Sequence, residues 1–180
     1  MKRYAAQLIF VSEREVLKRA VVEQNGDGVI SALVSLDQLS VEPADTVFLD
    51  GIISPAVVSV KEGMKLSGKA DLSGYNYVDV VNIITAEDLP RLDLPLILDF
   101  GTSEIGHIQR NFSKISRFLE NYPLNEIVAA CVFRPASVLN LTVDMKVGET
   151  SDLILWQQAD IPTFRFKAET KLQSIKKGSI

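Results

Sequence analysis

The sequence contains one cysteine, one histidine and one tryptophan among 180 residues. The single cysteine, Cys131, excludes an intramolecular disulfide and favours a reducing, cytoplasmic environment. The single histidine, His107, argues against a catalytic zinc site within this chain, because such sites use three protein ligands and usually two or more of them are histidine. We therefore expect the chain to carry no cofactor.

Long hydrophobic runs and an excess of basic residues are also missing. The apolar stretch 4–11 is broken by Gln7 and ends at charged residues, so it is too short to cross a membrane and lacks a convincing cleavage site. The formal net charge is −4, whereas nucleic-acid binding needs a dense cationic face. We expect a globular protein that binds neither membranes nor nucleic acid.

Segments rich in β-branched residues predict strands near both ends of the chain. A hairpin is expected around Asn25, Gly26, Asp27 and Gly28, because Asn-Gly and Asp-Gly tolerate the positive φ of tight turns. The basic tail is expected to be loosely ordered from residue 171 onward. The predicted strand regions are 7–11, the two arms of 19–36, 45–55, 77–85, 94–100, 152–156 and 163–168.

Helical periodicity is found between these strands. Ser103 is placed to cap a helix over 104–121, and Pro123 follows its end. A second helical stretch, 124–140, contains Pro135 where a short third helix could start. The apolar residues that recur at steps of three or four in the first helix are Ile105, Ile108, Phe112, Ile115, Phe118 and Leu119.

The order of these pieces resembles the amidohydrolase superfamily of metal-dependent hydrolases. "QNGDGVISAL" and "GIISPAVV" resemble the hairpin and the first-strand entry at the family's N-terminus. "EIVAACVFRPASVLNL" and "MKVGETSDLILW" resemble its C-terminal helix and return strand, with Gly148 and Asp152 at matching places. "LDFGTSEIG" resembles the stretch around the last metal ligand in the deaminase and chlorohydrolase branch, and the chain is most similar to aminodeoxyfutalosine-deaminase-like members.

The resemblance implies an α+β fold assembled from both ends of the chain. Residues 1–58 and 141–180 would form a β-sandwich like the composite accessory domain of these hydrolases. Residues 59–140 would be a truncated barrel remnant with two to three helices, within 104–121 and 124–140.

The residues that align with the family's metal ligands are poor ligands in this chain. Its His-x-His pair falls on Lys61 and Gly63, and its last aspartate falls on Ser103. Glycine has no side chain, and the lysine ammonium must lose a proton before it can bind a metal ion. Only about 40 residues separate Gly63 from Gly101, whereas a complete barrel takes roughly 250. Most of the catalytic barrel is therefore missing.

Several residues remain candidates for chemistry. His107 could be a general base or lone ligand, and Cys131 a nucleophile, although a packed helical histidine and a small buried hydrophobe are the ordinary interpretations. Ser103 could help to bind an anion at a helix N-terminus, although capping alone explains it. Asp71 and Asp79 could line a polar pocket with Ser103 and His107, although a solvated loop followed by a strand is the ordinary alternative.

Two hypotheses about function follow. The first is a degenerate, non-catalytic amidohydrolase homologue that acts as a binding or assembly module, with apolar helix faces covered in a homodimer. The second is a reduced metal-dependent hydrolase of non-peptide carbon–nitrogen bonds, similar to a deaminase, which would use zinc or iron in a site completed by another chain. No ligand, substrate or catalytic residue is assigned.

Overall fold

The computed structural model describes residues 1–39, 44–57, 59–60, 76–79, 96–99, 112, 115–120 and 122–175. Within these ranges the protein is an α+β structure, as the sequence predicts. Seven strands form one sheet, three short strands form a second sheet, and a helical segment lies between them in the sequence.

The main sheet is built from both ends of the chain, as the expected α+β fold requires. Its strands are β1 (Lys2–Phe10), β2 (Val16–Gln24), β3 (Ile30–Ser35), β4 (Thr46–Phe48), β5 (Ile52–Pro55), β9 (Leu153–Gln157) and β10 (Lys171–Ile175). Their order is β10-β9-β5-β1-β2-β3, and β4 lies beside β5 on the same edge of β1. The antiparallel pairing of β5 with β9 joins the N-terminal strands to the C-terminal pair.

An irregularity crosses the middle of this sheet. β1 advances three residues from Ala5 to Leu8, whereas its parallel neighbour advances four, from Phe48 to Ile52, so one extra residue lies there as in a bulge. On the other side of β1, the pairing with β2 skips Gln7. We call this line the sheet break.

The sheet break inverts the side-chain alternation. Tyr4 and Ala6 of β1 pack in one core cluster, but beyond Gln7 the odd residues Ile9 and Val11 pack there instead. Leu8 now faces the opposite cluster, together with Phe10. Because successive side chains of a regular strand point to opposite faces, the inversion shows that the ribbon twists at this point.

Both faces of the sheet are therefore buried. One face covers a cluster formed with the helical segment, which includes Ile52, Trp156 and Leu172. The other face covers the second core cluster, which includes Val22, Ile53 and Leu155. Two hydrogen bonds hold the chain together there: the backbone N–H of Ile30 donates to the carbonyl of Glu149, and the side-chain amide of Gln24 donates to the carbonyl of Ser151 at 2.7 Å. These bonds close the β2–β3 hairpin onto the segment before β9.

The predicted second helix is confirmed. It consists of α1 (Leu124–Val128), a π-helical turn (Ala129–Phe133) and α2 (Arg134–Val138), and Pro135 stands in the first turn of α2 as expected. Its apolar residues are buried against the sheet within one chain. Of the first predicted helix, the described residues Phe112, Ile115 and Leu119 are buried as their spacing predicts.

The second sheet contains β6 (Ser59–Val60), β7 (Asn76–Asp79) and β8 (Leu96–Asp99), all parallel, in the order β6-β8-β7. The last strand in the sequence thus lies between the first and the second. A closed barrel of eight parallel strands places its last strand between its first and its seventh. The order β6-β8-β7 is thus the same as the order of the first, eighth and seventh strands in such a barrel.

Two local predictions were wrong. Residues 163–168 form a turn rather than a strand, because Asp160 and Arg165 exchange backbone hydrogen bonds of 3.0 Å in each direction and close the chain on itself. Residues 171–175 are not loose but form β10, because Leu172 is buried against the helical cluster and the strand pairs with β9.

Candidate functional site

A groove lies where the sheet break meets the turn 160–165. We call it the Arg19 groove. Its volume is about 770 Å³. The groove has an apolar lining from β1 and the turn, and polar groups along β2 and after β3. The lining residues are Gln7, Leu8, Lys18, Arg19, Asp37, Ile161, Pro162 and Phe164.

Arg19 occupies an unusual backbone position at this groove. Its φ is +44°, in the left-handed region that non-glycine residues seldom adopt and never need in a regular strand. Its guanidinium Nη1 lies 3.0 Å from Oδ1 of Asp37, with both side chains more than half exposed. An exposed pair of this kind contributes little stability, on the order of 0–1 kcal/mol, so it does not account for the strained residue.

The opposite wall contains a second strained residue. Phe164 has a φ of +55°, and an aromatic residue in this region is an outlier. It is held there by its backbone, which accepts a 3.1 Å hydrogen bond from the N–H of Leu124 at the start of α1. Its ring stacks on Phe10 with centroids 6.4 Å apart. Backbone strain of this type is concentrated at functional sites, so its occurrence on both walls of one groove supports a binding role.

The turn beneath Phe164 is fixed by Asp160. Its Oδ1 accepts a 3.2 Å hydrogen bond from the backbone N–H of Thr163, and Lys167 Nζ lies 3.6 Å from Oδ2. The bond from Thr163, with the nearby positive charge of Lys167, lowers the pKa of Asp160 below its usual value. The carboxylate is therefore charged at neutral pH and keeps the turn closed.

Most residues that the sequence singled out lie outside the described part of the chain. These are Lys61, Gly63, Asp71, Ser103 and His107. Asp79 is the last residue of β7, where its backbone is the register partner of Asp99 at the end of β8. The predicted pocket of Ser103, His107, Asp71 and Asp79 stays a prediction.

Cys131 is described, and it is buried completely in the π-helical turn. Burial raises the pKa of its thiol to about 12, because the thiolate would lose its hydration. The nucleophile is the thiolate, so Cys131 is chemically inert at neutral pH. The interpretation as a small buried hydrophobe is the one that the structure supports.

Sequence reasoning missed the Arg19 groove. One signal was present: Gln7 interrupts the apolar stretch 4–11, and it is the exposed residue in the middle of buried neighbours. The other wall gave the opposite signal, because "TFRFKA" alternates like a strand although it forms a turn. The meeting of these two distant segments follows from tertiary packing and could not be found from local pattern.

Comparisons with known proteins give limited similarity. No family model matches, and no curated protein matches. The chain is similar in structure to N-acetyl-D-glucosamine-6-phosphate deacetylase from Mycobacterium smegmatis, at 16% identity and a TM-score of 0.27. The match covers 65% of this chain and 29% of that enzyme.

A point mutant of the same enzyme, in complex with N-acetyl-D-glucosamine-6-phosphate, gives 14% identity and a TM-score of 0.26 over 64% of this chain and 29% of the other. The chain thus spans less than a third of the length of these enzymes.

Two further observations concern the described residues alone. Among them, no helix is both long enough and apolar enough to cross a membrane. In the same ranges, no group of three or more histidine, cysteine, aspartate or glutamate side chains is placed to hold a metal ion.

Proposed function

We propose that this chain is a non-catalytic, amidohydrolase-like binding module, and that the Arg19 groove is its binding site. The observation that carries the proposal is the pair of left-handed, non-glycine residues, Arg19 and Phe164, on opposite walls of one groove. Arg19 lies at the sheet break and Phe164 lies in the turn 160–165, and each of these conformations costs stability that the fold retains.

The loss of catalysis is supported by the residues themselves. The chain has a single histidine, and the family's ligand positions fall on Lys61, Gly63 and Ser103. This set does not fit zinc or iron, since it offers no imidazole, carboxylate or thiolate. The strand order β6-β8-β7 supports an origin in a barrel that lost its middle strands, because it places the first strand next to the last.

The lining of the groove indicates the class of ligand. Leu8, Ile161 and Phe164 offer an apolar floor, while Lys18 and Arg19 add two positive charges against one negative charge from Asp37. A small molecule with an apolar body and a single anionic group would match both features. Apolar pockets with a few polar groups are the usual form of small-molecule sites.

The binding test uses anilinonaphthalene sulfonate, which has an aromatic body and one negative charge. We expect Arg19→Gln to weaken its binding about tenfold, because a charge-assisted hydrogen bond contributes roughly 1.5–3 kcal/mol and tenfold corresponds to about 1.4 kcal/mol. Fluorescence titration at low salt measures the affinity. Octanoate, an aliphatic anion, is expected to compete with the dye.

Arg14→Gln is the matched control, because it makes the same charge change at an exposed residue outside the groove. Its affinity is expected to stay within about twofold of the native value. Equal affinities in the two variants would remove the groove as the binding site. Far-UV circular dichroism on both variants excludes dye uptake by unfolded protein.

The alternative function is a reduced metal-dependent hydrolase of carbon–nitrogen bonds whose site is completed by another chain. One observation favours it: Asp79 and Asp99 are register partners at the carboxyl ends of neighbouring parallel strands. This edge is where parallel sheets in α/β enzymes hold their sites.

Metal content separates the two functions. After incubation with Zn²⁺, Fe²⁺ or Mn²⁺ and desalting, we expect less than about a tenth of an equivalent to stay bound, because Lys61, Gly63 and Ser103 stand at the family's ligand positions. Inductively coupled plasma mass spectrometry gives the ratio. One retained equivalent of a single metal would favour the hydrolase and would justify deaminase and amidase assays.

A further inference from the structure

The outer edge of β3 is an open side of the main sheet. β3 pairs with β2 on one side only. Among the described residues, only the segment before β9 contacts the other side: the backbone of Ile30 exchanges hydrogen bonds with Gly148 and Glu149. Within the part of the chain that the structure describes, residues 31–35 have no backbone partner on that edge, which is the arrangement that accepts another strand.

This edge has little of the usual protection against pairing. Natural edge strands carry lysine, other charged residues or proline, contain a β-bulge, or are very short. The stretch from Ile30 to Leu36 contains no charged residue and no proline, and its one irregularity is the register shift at Ser31, at the start of the strand. The other edges differ, because β10 begins with Lys171 and leads into Lys176 and Lys177, and β4 has only three residues.

The open stretch is also nearly symmetric about its centre. Read in either direction from Leu33, the sequence Ser31-Ala32-Leu33-Val34-Ser35 gives a small aliphatic residue and then a serine. When two copies run antiparallel about Leu33, each serine faces a serine, Ala32 faces Val34, and Leu33 faces itself. In this register a second copy therefore places only aliphatic or serine side chains opposite each other, with no charged residue left to be buried, and this favours a copy of the same chain as the partner.

We propose that two copies of this chain pair through the β3 edge, antiparallel and about a two-fold axis at Leu33. The two sheets then continue across the interface, and the backbone groups of residues 31–35 gain partners. The sequence predicts a homodimer with helical faces buried against each other or against the sheet. The buried residues of the helical segment 124–138 pack against the sheet of their own chain, so the β3 interface does not involve them. The β3 interface is independent of whether the Arg19 groove binds a ligand.

The test is a charge exchange at the facing pair Ala32 and Val34, both half-buried. In the double variant Ala32→Lys with Val34→Lys, two lysine pairs face each other across the axis. We expect the dissociation constant of the dimer to rise at least tenfold. In Ala32→Lys with Val34→Glu, opposite charges face each other, and we expect the dimer to return. Sedimentation velocity at protein concentrations from about 1 to 100 µM measures the fraction of dimer. This range covers the dissociation constants of weak dimers.

Far-UV circular dichroism shows whether both variants fold, and the second variant controls for polar substitution at the same two positions. A native protein that stays monomeric over the whole range would overturn the proposal. So would a lysine pair that leaves the dimer intact, since the interface would then lie elsewhere, or a charge exchange that fails to restore it. The register is checked by Leu33→Cys, which should form an intermolecular disulfide on mild oxidation, whereas Ala32→Cys should not.

Discussion

Replacing Trp156 with alanine is expected to lower the free energy of unfolding by about 3–5 kcal/mol. The indole is completely buried in β9, and it is the only tryptophan in the sequence. Its ring makes edge contacts with Phe112 at 5.6 Å and Phe166 at 6.4 Å between centroids. Its Nε1–H donates a 2.8 Å hydrogen bond to Oγ of Ser54. Urea unfolding followed by circular dichroism measures the loss.

The variant Trp156→Phe separates the contribution of the aromatic contacts from that of the hydrogen bond to Ser54. Phenylalanine keeps an aromatic ring against Phe112 and Phe166 but removes the donor to Ser54. The cost should fall to about 1–2 kcal/mol, because Ser54 still donates to the carbonyl of Pro55 at 2.7 Å and loses one accepted bond only. If alanine and phenylalanine cost the same, the hydrogen bond and not the aromatic cluster would hold the two ends of the chain together.

Trp156 is also the point where local pattern and tertiary structure agree. "DLILW" predicts a strand by its composition, and the residues alternate between the two core clusters, with Ile154 and Trp156 on one face and Leu153 and Leu155 on the other. The hairpin over 19–36 and the helix after Pro123 follow from equally local signals. These elements could be predicted because their stability depends on near neighbours in the sequence.

The remaining features depend on contacts that no local pattern contains. Residues 171–175 look like the start of a basic tail. They form a strand because Leu172 is buried against the helical cluster and the segment pairs with β9. The sheet break needs Gln7, Arg19 and the segment before Ile52 to coincide across three strands. Arg19 carries no signal of positive φ in its residue type, since arginine is not a turn former.

The second large expected effect concerns Gly51, at the end of the sheet break. Gly51→Ala is expected to lower the free energy of unfolding by about 3 kcal/mol or more. Gly51 has a φ of +147°, and a Cβ there would lie 2.3 Å from the backbone oxygen of Trp156. A backbone atom cannot rotate away as a flexible side chain can, so β5 and β9 would have to separate. Urea unfolding of the alanine variant gives the value.

Two other glycines make a graded control. Gly148→Ala meets no atom within 4 Å but has a φ of +91°, so it should cost about 1–2 kcal/mol from backbone conformation alone. Gly26→Ala meets no atom within 4 Å and has no positive φ, so it should change stability by less than about 0.5 kcal/mol. The difference between Gly148 and Gly26 thus gives the conformational cost of a positive φ, and the difference between Gly51 and Gly148 gives the cost of the steric clash. Equal losses at Gly51 and Gly148 would mean that β9 does not approach the sheet break closely, and the join between the two ends of the chain would then depend on side-chain packing rather than on backbone contact.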